Sequence, residues 1–454
     1  MEVIGQIIIY IMMGFLLIGA VSAIFDDEKG FGKEFKEGIY AIGPIFLPVA
    51  GIMVFIPILS QLVTTYLAPI YSWVHADPSL AATTLIAGDM GGYHLAFETA
   101  GSHGAWIMAF AVSFTAGSTI IFSIPVGLAM LDKRDHKYMA LGVMAGLLSI
   151  PFAVFIITLI MQGGATPLRS DISNTSASDT PFNLPVGDIL LNLAPLTFIV
   201  LVLALGLRFF SKFMVKAFII FGRGLEIIIK LALAVSVVQY FTGVFDVFGT
   251  WPLAPFIADG EDQFRALEVA GYIGVMLAGA FPMVHAIRTW LAAPLSTVGK
   301  RFGFSEEGAA GLLAAAANIL ALFRVVRFMP PRDKVLTIAF AVCAAFTFGD
   351  HLAFSANFQP NMVFPLIVGK LAGGVIGILL AVWLAVPYAR VLEAADRADG
   401  TIDAHEYDAH VHGHKQDHES SEATTGALVG KADASSQSEQ DSEVNDGGQP
   451  ATRL

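Results

Sequence analysis

The sequence is poor in charge and almost free of cysteine. Charged residues make up 14% of the 454 positions and hydrophobic residues 55%, whereas a soluble domain carries about 25% charged residues. Cys343 is the single cysteine, which excludes disulfides within the chain and cysteine-based metal clusters. The sequence contains no phosphate-binding loop, nucleophile elbow or dinucleotide fingerprint. We therefore expect no enzyme activity, no cofactor or metal, and no nucleic-acid partner.

What the sequence has instead is a series of long apolar stretches. Most of them reach the roughly 20 residues that a helix needs to cross a bilayer. The first follows Glu2 and has no basic region before it, so it is predicted to be a retained span and not a signal peptide. The composition predicts an all-α polytopic membrane protein with eleven apolar segments: 4–25, 38–67, 79–97, 104–131, 138–162, 187–210, 224–245, 266–292, 306–323, 334–356 and 362–388.

The C-terminal tail differs from the rest of the chain. Most of the acidic excess behind the net charge of −12 lies in residues 391–454, which are rich in Asp, Glu, Ser and Gln and include several histidines. Without an apolar period this tail cannot bury a core, so it is predicted to be disordered.

An internal duplication is visible in the membrane part. The letters AFAV occur at 109–112 and again at 339–342, and FTAGSTIIFS at 114–123 matches FTFGDHLAFS at 346–355 in five of ten positions. These and two further matches keep a nearly constant offset. We therefore predict five regions: an N-terminal span and loop (1–37), a first transport repeat (38–162), connecting spans (163–265), a second transport repeat (266–390) and the tail (391–454).

Basic loops then constrain the topology, because Lys and Arg in short loops stay cytoplasmic. Loop 26–37 contains Lys29, Lys33 and Lys36, and loop 132–137 contains Lys133, Arg134 and Lys137, yet three apolar segments lie between them. An even number of crossings is required, so we predict that 79–97, broken by GDMGG, is a re-entrant hairpin. The same conflict around 306–323 predicts a second hairpin.

This topology has about nine crossings and two hairpins in an inverted repeat with broken helices. The N-terminus is then periplasmic and the C-terminus cytoplasmic, in a bacterial plasma (inner) membrane. The alternative has eleven full spans and violates the charge rule at two loops. Inverted repeats with discontinuous helices are typical of secondary transporters, whose substrate sites lie near the middle of the membrane.

Polar and ionisable residues inside membrane segments are functional candidates, because they are costly there. Candidates cluster at the interrupted segments and at their repeat counterparts. They are Asp89, Met90, Gly91, Glu98, Ser118, Thr119, Asn318, Asp350, His351 and Asn357. Two structural alternatives stay open: Asp89 could cap the second half of its hairpin, and Asp350 with His351 could lock two helices together.

The chain resembles the ethanolamine permease family of bacterial ethanolamine-utilisation operons. The resemblance runs from near Tyr10 to about Trp383 and rests on DMGG (89–92), IIFSIP (120–125), LGVMAG (141–146), GDHLAF (349–354) and FPLIVGKLAGG (364–374). It implies a permease in the lipid bilayer that imports ethanolamine for catabolism. A carboxylate from Asp89, Asp350 or Glu98 would then bind the amine, and Ser118, Thr119 or Asn318 the hydroxyl.

Two other functions remain possible from the sequence. The same architecture could carry another small solute, such as a nucleoside, a carboxylate or a cation, or the chain could be a membrane sensor whose tail recruits partners. A coupling ion, H⁺ or Na⁺, and a homo-oligomeric state are left open.

Overall fold

A computed structural model describes residues 2–249, Leu253 and residues 265–402 of the protein. Helices dominate these residues, and the sheet found among them has two short strands. The first half contains α1 (Glu2–Phe25), α2 (Gly30–Tyr40), α3 (Ile42–Met53), α4 (Ile56–Leu62), α5 (Ala68–Trp73), α6 (Ser79–Leu85), α7 (Gly92–Thr99), α8 (His103–Val112), α9 (Ile124–Met130), α10 (His136–Leu147) and α11 (Ile150–Gly163).

The middle of the chain contains a β-hairpin and two long helices. Strands β1 (Pro167–Arg169) and β2 (Ser178–Pro181) pair antiparallel, with Pro167 opposite Pro181. They are followed by α12 (Val186–Phe209) and α13 (Ser211–Thr242). The 32 residues of α13 form one continuous helix.

The second half contains α14 (Arg265–Arg301), α15 (Glu306–Ala317), α16 (Ile319–Val326), α17 (Pro331–Ala344), α18 (Asp350–Phe358), α19 (Val363–Leu384) and α20 (Val386–Ala398). Helix α20 includes residues 391–398, which the sequence analysis assigned to the disordered tail. These residues are held because Asp396 accepts a hydrogen bond of 2.6 Å from the Tyr138 hydroxyl and pairs with Lys137. The rest of the tail, residues 403–454, lies outside the described part of the chain.

The predicted fold class, an all-α polytopic membrane protein, is confirmed. In the described ranges seven helices are long and apolar enough to cross a membrane: Val3–Phe25, Gly30–Met53, His103–Met130, His136–Gly163, Val186–Phe209, Arg265–Leu291 and Pro360–Leu384. The two remaining predicted crossings correspond to α13 and to the interrupted pair α17 and α18.

Two apolar segments are divided into short helices. Helices α6 and α7 have 7 and 8 residues, and α15 and α16 have 12 and 8, so none of them spans a hydrocarbon core of about 30 Å alone. The two ends of each pair lie together, because Gly101 bonds Asp77 and Ser305 bonds Asp333. Each pair therefore folds back as a hairpin, which agrees with the predicted re-entrant segments and disagrees with eleven full spans.

The bases of the hairpins lie at opposite ends of the protein. At the base of α6–α7, the Gly101 amide donates to Asp77 Oδ2 over 2.8 Å, and the Asp77 amide donates to Asn192 Oδ1 over 2.6 Å. At the base of α15–α16, the Ser305 amide donates to Asp333 Oδ2 over 2.6 Å. The two hairpins therefore enter the protein from opposite directions.

The basic loops gather at one of these ends. Lys334, next to Asp333, pairs with Asp135 over 2.6 Å, and Lys137 pairs with Asp396. We call this end, with residues 26–37, 132–137 and 327–334, the basic end. The other end carries β1–β2 and residues 100–103 and 359–361, and we call it the capped end. There the side chain of Asn361 donates to the Pro167 carbonyl over 2.8 Å.

Cysteine labelling tests this arrangement. In a Cys343→Ala background, Ser72→Cys and Gly101→Cys flank the first hairpin, while Phe302→Cys and Phe328→Cys flank the second; all four positions are exposed. We expect an impermeant maleimide to label the first pair from the periplasm and the second pair from the cytoplasm, because each hairpin returns to its own side. Labelling of Ser72→Cys and Gly101→Cys from opposite sides would show that 79–97 crosses.

Candidate substrate site

A cavity of about 420 Å³ lies where the two hairpin tips meet the gap between α17 and α18 and the π-helical stretch between α8 and α9. Its lining combines apolar side chains with a few polar ones. The polar residues are Glu37, Tyr40, Asp89, Ser118, Asn318, Asp350 and His351, and Met90, Phe122, Phe281, Phe346, Pro44 and Pro48 are among the apolar ones. A few polar groups converging in an apolar cavity is the usual character of a small-molecule site.

The tip of the first hairpin positions Asp89. A single 3-10 turn, Gly88–Met90, connects the two helices, and Gly91 then adopts φ +96°, a left-handed conformation that favours glycine. Gly91 stands at the N-cap of α7, and no side chain caps that helix. Asp89 Oδ1 is buried without a hydrogen-bond partner in the described part of the chain. The carboxylate therefore faces the cavity without capping α7.

The tip of the second hairpin positions Asn318. Here the side chain does cap a helix, because Asn318 Oδ1 accepts a hydrogen bond of 2.8 Å from the Leu320 amide at the start of α16. Since Asn318 also lines the cavity, its amide group can donate to a ligand. The two tips thus offer an acidic and a neutral polar group.

The interruption between α17 and α18 is stabilised by the second hairpin. The amide of Phe346 donates to the Ala315 carbonyl over 3.3 Å, and the amide of Phe348 donates to the Ala316 carbonyl over 2.9 Å. These bonds satisfy backbone groups that lack helical partners, which is required inside a membrane. Asp350 begins α18 directly after this pairing.

Two glycines allow close contact between the hairpins and the neighbouring helices: Gly117 in the stretch between α8 and α9, and Gly349 between α17 and α18. A Cβ on Gly117 would lie 2.4 Å from the Ile86 carbonyl oxygen, and a Cβ on Gly349 would lie 2.4 Å from the Ala317 carbonyl oxygen. These glycines hold equivalent places in the two predicted repeats. Each contacts the hairpin just before its tip, so both halves of the protein build the site in the same way.

Aromatic rings close the cavity toward the capped end. His351 stacks on Phe114, with 4.0 Å between the ring centroids. Beyond this pair lie Tyr93, Phe110, Phe354, Phe358 and Trp106, whose neighbouring rings are 4.5–5.9 Å apart. We call this group the aromatic plug.

A polar layer covers the plug at the capped end. Gln359 Nε2 donates to the Tyr93 hydroxyl over 3.0 Å, and its Oε1 accepts from the Arg169 amide over 3.0 Å. Arg169 Nη1 donates to the carbonyls of Asn357 and Phe358 over 2.5 and 3.0 Å. Burial lowers the pKa of Arg169, which lies outside the membrane spans. The β-hairpin is thereby fixed to the C-terminal end of α18.

The cavity opens in the opposite direction. Its lining continues along α3 and α2 through Pro48 and Pro44 to Tyr40 and Glu37, both of which are exposed. Glu34, one turn further on, faces His285 at 3.6 Å near the basic end. A solute in the cavity therefore reaches solvent from the basic end, while the plug blocks the capped end.

The cavity brings together six of the ten candidate residues: Asp89, Met90, Ser118, Asn318, Asp350 and His351. The other four do not line it. Gly91 shapes the hairpin turn, Glu98 is exposed, and the Thr119 hydroxyl donates to the Val342 carbonyl over 2.8 Å. Asn357 lies at the capped end, where its carbonyl binds Arg169.

Sequence comparisons identify the family. The family described as "Ethanolamine utilisation protein, EutH" matches residues 4–384. The chain belongs to the EutH family. It is 37% identical over 383 residues to the Probable ethanolamine permease EutH of Listeria monocytogenes, covering 84% of this chain and 94% of that one.

Two further relatives show the same coverage. Identity is 38% over 405 residues to the Probable ethanolamine permease EutH of Escherichia coli strain K12, and 32% over 382 residues to the uncharacterized protein YxeR of Bacillus subtilis. Both alignments span 84% of this chain and 95% of the relative. No solved structure matches the chain.

The sequence analysis of this EutH family member missed Lys370. This lysine is 1% exposed, and its Nζ donates to the Phe114 carbonyl over 2.5 Å. A single lysine in the apolar run LIVGKLAGG was a sufficient signal, because an ionisable residue within a membrane segment is a functional candidate by default. The aromatic plug was also missed, since Phe is frequent throughout the chain.

Gly349→Ala tests the contact between hairpin and interrupted helix in this EutH protein. Its new Cβ would collide with the Ala317 carbonyl, a backbone atom that cannot rotate away. Overpacking of this kind costs roughly 1–3 kcal/mol, so we expect a melting temperature lower by several degrees in detergent. Gly117→Ala should behave alike. Gly14→Ala, in open space, is the control, and equal melting of all three variants would contradict the proposed contact.

Proposed function

We propose that the protein is a secondary transporter or facilitator that imports ethanolamine across the bacterial plasma membrane for catabolism. The observation that carries the proposal is the pair of carboxylates, Asp89 and Asp350, on one cavity. There the two hairpin tips meet the gap between α17 and α18 and the π-helical stretch between α8 and α9. Two relatives named as probable ethanolamine permeases at 37–38% identity support this substrate.

The chemistry of the cavity suits a small amine with a hydroxyl group. Ethanolamine in neutral water is mostly an ammonium ion, which carries three N–H donors for Asp89 and Asp350. Ser118 and the Asn318 amide can bond the hydroxyl, and Met90 and Phe346 provide apolar contacts for the two methylene groups. A water molecule occupies about 30 Å³, so the cavity also holds several waters beside the substrate.

Electrostatics favour a cation over an anion in this site. The start of α18 carries a partial positive charge that would attract anions, but an ionised carboxylate at Asp89 or Asp350 carries a full charge that outweighs it. A bound ammonium ion favours the ionised form of both carboxylates. A carboxylate substrate would meet two like charges, which argues against it.

Lysine and arginine residues support the orientation. Lys29, Lys33 and Lys36, together with the basic residues of 132–137 and 327–334, lie at the basic end, and Lys and Arg near the ends of spans stay in the cytoplasm. We infer that the N-terminus is periplasmic and the C-terminus cytoplasmic. In this orientation the cavity opens toward the cytoplasm, and we assign the aromatic plug with its β-hairpin as the closed periplasmic gate.

Substitution of the two carboxylates tests the proposed site. Removing one partner of a desolvated charge pair costs on the order of 2–5 kcal/mol, or roughly 30- to several-thousand-fold in affinity. We therefore expect Asp89→Asn and Asp350→Asn each to abolish ethanolamine binding measured by calorimetry, while the proteins still elute as folded species.

Glu306→Gln is the matched control for these variants. Glu306 pairs with Lys300 over 2.5 Å on an exposed surface, outside the candidate cavity, so its replacement should leave the affinity unchanged. Normal binding by both aspartate variants would exclude the proposed site. Counterflow of labelled ethanolamine in liposomes, with a nucleoside and a dicarboxylate as competitors, distinguishes ethanolamine from the other solutes considered.

A further inference from the structure

Lys370 is a buried charged group that substrate binding does not use. It lies in the middle of α19 and is 1% exposed. An ammonium group has three hydrogen-bond donors, yet the hydrogen bond recorded for it within the described residues is to the Phe114 carbonyl, 2.5 Å away. A lysine held this way within a membrane span is costly, so a purely structural role explains it poorly.

The carbonyl that Lys370 contacts belongs to an irregular stretch of helix. Phe114 lies in the π-helical segment Ser113–Gly117, directly before a second π-helical segment, Thr119–Ser123. Such segments interrupt the regular hydrogen-bond ladder and occur frequently at functional sites. In secondary transporters, carbonyls at unwound helices coordinate the coupling cation. Here the lysine ammonium binds the Phe114 carbonyl, which lies in a π-helical segment of a continuous helix.

Titratable groups from three neighbouring elements face Lys370. They are Asp89 of the first hairpin tip, Cys343 of α17 and His351 of α18. Asp89 follows Gly88, where a Cβ would lie 3.0 Å from the Phe114 ring, and His351 stacks on that ring. The Cys343 Sγ would lie 3.1 Å from a Cβ on Gly373, one turn of α19 from Lys370. Helix α11, which also packs along α19, has no titratable residue. Those of α10, His136, Lys137 and Tyr138, lie in its first turn at the basic end.

Charge links Lys370 to the substrate site through Asp89. Uncompensated charge inside a membrane protein is strongly disfavoured, so the protonation of Lys370 depends on the charge at Asp89 and therefore on whether a substrate ammonium is bound there.

We propose that Lys370 takes the place of a coupling metal ion and carries the proton that is coupled to transport. This inference rests on the proposed function. From the periplasmic side, the Nζ lone pair accepts a proton from hydronium, an N–H bond forms, and water remains. After reorientation that N–H bond breaks, the proton passes to cytoplasmic water, and the lone pair stays on Nζ. One proton thus enters with each ethanolammonium ion.

The wild-type protein gives the first test, with the full chain in liposomes at acidic pH, where the substrate is a cation. We expect uptake of labelled ethanolamine to be unchanged when K⁺ replaces Na⁺. We also expect a trapped pH dye to report acidification on ethanolamine addition that protein-free liposomes lack. A requirement for Na⁺, or uptake without acidification, would overturn the proposal.

Lys370→Met gives the second test. Exchange of labelled for unlabelled ethanolamine requires no net proton movement, so this variant should retain counterflow. It should lose accumulation driven by an imposed pH gradient, which for one proton and one pH unit amounts to about tenfold in the wild type. Lys230→Met, at an exposed lysine, should accumulate like the wild type.

The outcomes separate this inference from the proposed function. If the Lys370→Met variant accumulates ethanolamine like the wild type, the proposed role of Lys370 is wrong, but ethanolamine transport is unaffected. Wild-type protein without ethanolamine counterflow disproves the proposed function itself. Should the variant fail to insert, the Na⁺ replacement and the acidification of the wild type still decide the matter.

Discussion

Backbone N–H and C=O groups cannot be left without hydrogen-bond partners in hydrocarbon, because no water is there to bond them. A membrane protein that interrupts its helices must therefore cover each interruption with protein. Here the hairpins do so. Phe346 and Phe348 pair with Ala315 and Ala316 across the gap between α17 and α18. The hairpin that covers the gap also brings Asn318 to the cavity, so protection of the backbone and assembly of the site are one arrangement.

Much of the membrane topology was predictable from the sequence, because Lys and Arg in short loops fix the side of the membrane on which each loop lies. Loops 26–37 and 132–137 each contain three Lys or Arg residues but are separated by an odd number of apolar segments. Only a segment that turns back resolves this, and GDMGG marks where it turns. The end of the folded region was harder to predict. Residues 391–398 look like the start of a polar tail, but Asp396 bonds Tyr138 from a distant part of the chain, a contact that no local pattern reveals.

The site was predictable where polar groups follow glycines and less so elsewhere. Asp89 and Asp350 each come directly after a glycine in an apolar segment, and both line the cavity. Ser118 and Thr119 are neighbours in sequence, yet only Ser118 faces the cavity, because Thr119 turns to the Val342 carbonyl. Which of two adjacent residues faces a cavity depends on the phase of the helix, and the π-helical segments here shift that phase.

Lys370 connects these observations. It comes from α19, outside the hairpins and the interrupted helices, yet its ammonium reaches the Phe114 carbonyl in the π-helical stretch between α8 and α9. The hairpin tip that carries Asp89 packs against the same stretch, because a Cβ on Gly88 would lie 3.0 Å from the Phe114 ring. The hairpin tip and Lys370 therefore meet at one residue, Phe114. This shared contact is the physical connection on which the proposed coupling between Lys370 and the substrate site rests.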